Sequence, residues 1–245
     1  MCCLRWGYDM PHDVTYRFFA SHAETTTVEL RFDERTHRIQ VSAEDKLPAW
    51  TALSFQRCPN CNLDDATERC PAAVALAQFL PKFETRVSYE KAVVEVEMPL
   101  RTIVSKTTFQ QGIAGLIGLT MATSGCPRTR FLRPMARVHL PFASEEETVL
   151  RALAFHLLGK YVASDNGGGP VSLSLAELKE AYGALSIVNA AVAERIRAAI
   201  KRDAAVNAVI ILDSFALIAP ENIDTGFEDI RGFFAVEDDD PNQRK

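Results

Sequence analysis

The sequence predicts an α+β fold in which an antiparallel sheet of about five strands packs on a helical C-terminal half. Three observations carry this. Apolar and polar residues alternate between Val14 and Ala43, a second alternating pair lies near residues 92–108, and apolar residues recur at helical spacing in the second half. With 245 residues, of which 47% are apolar, the chain can bury one substantial core. We expect a single domain over residues 14–220, after a flexible N-terminus at 1–13 and before an acidic, disordered tail at 221–245.

The first expected strands carry Tyr16 and Phe18, then Val28, Leu30 and Phe32. After a turn at Asp33-Glu34-Arg35 the chain returns through Ile39 and Val41. Two more strands follow at residues 92–98 and 102–108, where Val93 and Val94 open a β-branched run and Pro99 marks the connection. Between the two groups lies a cysteine-rich insert at about 55–71. It leads into a helix that begins at Pro71, a position where the missing N–H costs nothing.

Residues 109–123 are apolar nearly all round, which predicts a buried helix, and Gly112, Gly115 and Gly118 would let another backbone approach closely. Ser144 with Glu147, and Ser174 with Glu177, read as capping boxes opening two further helices. The first runs to about Val162 and ends at a glycine-rich turn, Gly167-Gly168-Gly169. The second carries Leu178, Tyr182, Leu185, Val188, Val192 and Ile196, and ends near Ile200. A last helix is expected over 204–219, stopped by Pro220.

Charge narrows the partners. From Glu221 to Lys245 there are eight acids and three bases, a net of −5 that equals the charge of the whole chain. The body is therefore neutral, and nucleic-acid binding is not suggested. The opening Met1–Asp13 segment has no apolar signal region, and the most apolar stretch, residues 112–122, falls short of the ~20 residues that span a bilayer. We expect a cytoplasmic protein with no membrane span.

In a reducing compartment, clustered cysteines point to metal binding or redox chemistry. Cys58-Pro59-Asn60-Cys61 is followed by Cys70-Pro71, and Cys126-Pro127 comes after the buried helix. Two thiolates in C-x-x-C spacing can grip one ion from a tight turn, and tetrahedral zinc or an iron–sulfur cluster takes four such donors. Cys58, Cys61, Cys70 and Cys126 are thus candidate metal ligands, with zinc or an iron–sulfur cluster as cofactor and His139 as an extra ligand. Two alternatives stay open: a thiol-redox enzyme using the Cys58/Cys61 pair, and an interaction protein whose cysteines are buried and structural. Whether there is catalytic activity is not fixed by these residues.

The Cys-Pro-Asn-Cys and Cys-Pro motifs, Met121-Ala122-Thr123-Ser124-Gly125-Cys126-Pro127, Arg133-Pro134-Met135-Ala136-Arg137 and His139-Leu140-Pro141-Phe142 together resemble a family of uncharacterised bacterial proteins. The resemblance covers about Val14 to Phe215. It implies a bacterial cytoplasmic setting and carries over no catalytic residue.

Between Glu97 and Glu145 there is no acid, yet Arg101, Lys106, Arg128, Arg130, Arg133 and Arg137 fall there. Arg128, Arg130, Arg133 and Arg137 could line a site for a small anionic ligand such as phosphate or carboxylate. The expectation we favour is that they pair with acids at Asp64–Glu68 and Glu145–Glu147. Either arrangement is expected to lower the pKa of Cys126. His156, beside Phe155 and Leu157, reads as a structural histidine.

Overall fold

The computed structural model describes residues 13–20, 24–41, 47–165, 172–200 and 202–234. Four antiparallel strands, β1 (Val14–Phe19), β2 (Thr26–Leu30), β3 (Lys91–Met98) and β4 (Arg101–Thr108), form one sheet in the order β2-β1-β3-β4. Alternation does the work the sequence assigns to it. Val14, Tyr16 and Phe18 of β1, Val28 and Leu30 of β2, and Ala92, Val94 and Val96 of β3 are all buried. The opposite face is polar, and there Arg17 pairs with Glu95 and Glu97 of the adjacent strand.

The fifth strand expected at Ile39 and Val41 shrinks to a single bridge between Phe32 and Ile39. Two local features explain this. Asp33 accepts hydrogen bonds from the amide and hydroxyl of Thr36, closing a tight turn, and His37 takes a positive φ of 52° that breaks the extended run. Ile39 then spends its N–H on the carbonyl of Thr123, at the end of a helix rather than on a strand.

That helix, α2 (Phe109–Thr123), is the central element of the core, with eleven of its fifteen residues buried. It lies close on the sheet because Gly112 has no side chain: a Cβ there would stand 2.6 Å from Cε1 of Phe18. Phe18 in turn packs among Phe83 and Phe109. A short helix, α1 (Pro71–Ala77), follows the insert, and α3 (Arg133–Ala136) follows α2. The long helices α4 (Glu145–Asp165), α5 (Ala176–Ala199) and α6 (Ala204–Thr225) complete the helical half, with α5 and α6 packed on each other and α6 also against α2.

The first capping box forms as expected: Ser144 Oγ accepts from the Glu147 amide at 3.1 Å, and Glu147 accepts from the Ser144 amide at 2.8 Å. At the second, Ser174 Oγ accepts from the amide of Ala176 instead of reaching Glu177. The glycine-rich turn, Cys2, Cys3 and most of the N-terminal segment lie outside the described residues.

Pro220 does not stop the last helix. It sits inside α6, which runs on to Thr225 and ends at Gly226 in the left-handed conformation with φ 75°. An interior proline costs a helix about 3 kcal/mol, and here Ala219 just before it and Asn222 in the turn beyond it are both buried. The chain then makes a 3-10 segment, Glu228–Phe234, with Ile230 buried in the main core. The domain therefore extends past residue 220, and only residues 235–245 of the expected acidic tail lie outside the described structure. α6 is also the one described helix long and apolar enough, by length and composition alone, to cross a membrane. It packs against α2 and α5, and 39% of its most apolar stretch is buried there.

Candidate functional site

The insert is laced to itself by backbone bonds and to the helical half by side chains such as Asn60, whose amide donates to the Ala184 carbonyl of α5 at 2.9 Å. Ala52 and Arg69 form a bridge, Leu53 N–H donates to Glu68 at 2.9 Å, and Cys70 N–H donates to Thr51 at 2.9 Å. The Cys58–Cys61 turn closes through Cys61 N–H to the Cys58 carbonyl at 2.9 Å, and Cys70 caps α1 just before Pro71.

Beneath the insert stands Arg195 of α5, only 1% exposed. Its Nη1 donates to the carbonyls of Trp50 at 2.7 Å and Ala52 at 2.9 Å, and its Nη2 to Leu53 at 3.2 Å. No carboxylate lies within ion-pair distance of it among the described residues. A buried arginine balanced by carbonyl dipoles and the face of Phe55, 6.0 Å away, with no carboxylate, is unusual, because an uncompensated buried charge is expensive. Nothing in the helical stripe of α5 singles it out in the sequence, where it reads as one more solvent-facing charge.

Cys70 and Cys126 are buried in one small apolar cluster with Leu53, Ala72 and Ala73, and Cys61 packs against it. Cys58 lies within electrostatic reach of Cys70, Cys126, Cys61 and Arg195. Burial first, and the neighbouring thiols second, push its pKa up to about 11. Burial also raises the pKa of Cys126, so the lowering expected from the nearby arginines does not occur: desolvation outweighs the hydrogen bonds around it. All four cysteines are free. Among the described residues no group of three or more His, Cys, Asp or Glu side chains is arranged to hold a metal ion. The thiols are thus neighbours, not an assembled ligand set.

The arginines after Cys126 separate. Arg128 turns to the insert and donates from Nε to the Asn60 carbonyl at 2.7 Å. Arg130 is exposed, while Arg133 and Arg137 line a surface groove with Asp33, Arg35 and Arg38. None of the four makes an ion pair among the described residues, so the pairing with Asp64–Glu68 and Glu145–Glu147 is not found; Asp65 pairs with Arg57 instead. The physical reason is simple: Arg128 and Arg137 donate to the backbone carbonyls of Asn60 and Arg35, Arg130 is exposed, and Arg133 is half-exposed. His139 faces away from the thiols. Its Nε2 shares a 2.6 Å hydrogen bond with the Tyr16 hydroxyl, and burial, helped by the charge of Arg151, depresses its pKa to about 3. His156 lies near the Ser174 carbonyl at 3.4 Å, in keeping with a structural role.

A family described as a domain of unknown function, DUF6901, matches residues 14–235. The chain belongs to this family. No curated protein and no solved structure matches it. The DUF6901 match starts one residue after the first described residue and ends one after Phe234, so it includes the 3-10 segment beyond Pro220. The insert, all four cysteines and Arg195 fall within the DUF6901 domain.

Proposed function

We propose that this DUF6901 domain is a metal-binding protein, with Cys58, Cys61, Cys70 and Cys126 as ligands of one zinc ion or iron–sulfur cluster that pins the insert to the core. The observation that carries this reading is the buried, carboxylate-free Arg195 within electrostatic reach of Cys58, beside the other three thiols. Four thiolates around a divalent zinc carry a net charge of −2, and a buried cation beside them offsets part of it. The donor set also suits the group chemically, since thiolates are the ligands that zinc and iron–sulfur clusters share. Binding requires the partly exposed Cys58–Cys61 turn to close on buried Cys70 and Cys126. The raised pKa of Cys58 opposes its use as the nucleophile of a redox dithiol, because a thiol protonated at neutral pH is a weak nucleophile.

The test is a comparison of melting temperatures. Wild type should lose stability on adding a strong chelator, whereas Cys70→Ser should melt lower and respond little to chelator. Chelator should thus narrow the gap between the two proteins. If wild type ignores chelator, the four thiols are packing residues and the reading fails.

A further inference from the structure

A second feature, independent of the cysteines, is a half-open pocket of about 430 Å³ lined by β4, α2, the loop around His139, α4, α5 and α6. Its size falls within the range of small-molecule sites. Most of its wall is apolar, with Leu119, Leu132, Leu185, Leu212 and Phe215 among the lining residues. None of the four cysteines contributes to it.

The polar part of the wall is one-sided. Lys106, exposed on β4, and Arg151 of α4 are its charged residues, and no aspartate or glutamate lines it. Arg151 makes no ion pair among the described residues. Its hydrogen bonds run from Nη2 alone, to the carbonyls of Met135 and Val138 at 3.3 and 3.0 Å, which leaves Nε and Nη1 without a protein acceptor among those residues. The acid that acts on it, Glu147 one turn earlier, is held by the Ser144 amide. Opposite stands Tyr182 of α5, 3% exposed, whose hydroxyl has no hydrogen-bond partner among the described residues. A guanidinium and a tyrosine hydroxyl that keep donors without protein acceptors among the described residues, at one largely apolar pocket, offer hydrogen bonds that an anionic ligand can take.

We propose that this cavity binds a small amphipathic carboxylate, its apolar tail among the leucines of α2, α5 and α6 and its carboxylate held by Arg151 and the Tyr182 hydroxyl. A free guanidinium N–H and the tyrosine hydroxyl can each donate to a carboxylate oxygen. Burial pushes the Tyr182 hydroxyl pKa up, which keeps it a donor at neutral pH. Lys106, on the exposed side of the wall, adds a second positive charge that favours entry of an anion.

The experiment is calorimetric titration of the full chain, as purified, with sodium decanoate, 1-decanol and decyltrimethylammonium, three probes that share a tail and differ in head. Decanoate should bind at one per chain and at least about tenfold more tightly than the other two, the penalty for removing a charged hydrogen-bond partner. Arg151→Gln should lose at least about tenfold of that affinity, Tyr182→Phe a smaller factor, and Arg151→Lys should retain part of it. Decanol binding as well as decanoate, or no decanoate binding to wild type, would overturn the proposal without any variant. Undiminished decanoate binding by folded Arg151→Gln would overturn it as well.

Discussion

Arg128 donates from Nε to the backbone carbonyl of Asn60 at 2.7 Å, tying the loop that follows Cys126 to the turn that joins Cys58 and Cys61. Two segments 68 residues apart in sequence are thereby held side by side. Asn60 continues the link with its own amide, which donates to the Ala184 carbonyl of α5 at 2.9 Å. Replacing Arg128 with Leu should cost about 1.5–3 kcal/mol, the range for a hydrogen bond from a charged group. Amide hydrogen exchange would rise first in residues 57–63, with the sheet protected as before; a uniform loss of protection would mean that Arg128 supports the whole fold.

Arg195→Met tests the support of the insert from below. Methionine keeps much of the aliphatic stem and removes three hydrogen bonds, leaving the carbonyls of Trp50 and Leu53 without this donor while Ala52 keeps the Phe55 amide at 3.2 Å. At about 1–3 kcal/mol for each buried group left unsatisfied, the loss should reach several kcal/mol in denaturant unfolding. A change below about 1 kcal/mol would show that water replaces the guanidinium.

His139 gives the fold a directional pH dependence. Its pKa falls from an ordinary value of 6.5 to about 3, so between these values the unfolded chain binds a proton that the native chain refuses. Stability is fully present above pH 6.5 and should fall as the pH drops toward 3, at up to about 1.4 kcal/mol per pH unit from this group. His139→Gln keeps a side chain able to bond the Tyr16 hydroxyl and should flatten that part of the profile. An unchanged slope would assign the acid sensitivity to carboxylates such as Asp33 or Asp203, whose pKa values are lowered by hydrogen bonds.

Gly112→Ala should be destabilising through crowding. The added methyl meets Phe18 Cε1 at 2.6 Å and Val94 at 3.0 Å, and both neighbours are fully buried in the sheet. Overpacking of this kind costs about 1–3 kcal/mol, against a helix-propensity gain of about 1 kcal/mol for replacing glycine. A net stabilisation measured by thermal unfolding would mean that α2 stands farther from the sheet than the geometry indicates.

Local rules made much of the fold legible. Alternation located β1 to β4, the apolar run of residues 109–123 located α2, and Pro71 and the Ser144 capping box marked helix starts. What was not legible depended on tertiary context. The return strand at Ile39 yielded to a turn fixed by Asp33 and Thr36, and to a bond from Ile39 to the end of α2. Pro220 is a helix stop by local rules, yet the helix runs through it with Ala219 and Asn222 buried on either side. At the candidate site the cysteines stood out by residue type, whereas Arg195, Arg151 and Tyr182 did not. An arginine or tyrosine on an amphipathic helix reads as surface or core, and only the neighbours supplied by distant segments show that its charge or hydroxyl is buried. The acid-free window was visible, but its arginines diverge in space, and the guanidinium facing the cavity lies outside it, on α4.

The central claim is that Cys58, Cys61, Cys70 and Cys126 hold a metal, and direct measurement of zinc, iron and acid-labile sulfide in protein purified under reducing, oxygen-free conditions tests it. One zinc per chain, or iron and sulfide in the ratio of a single cluster, is expected in wild type and should be lost in Cys70→Ser and Cys126→Ser. Folded wild-type protein with no stoichiometric metal, and no uptake of zinc on titration, would contradict the claim.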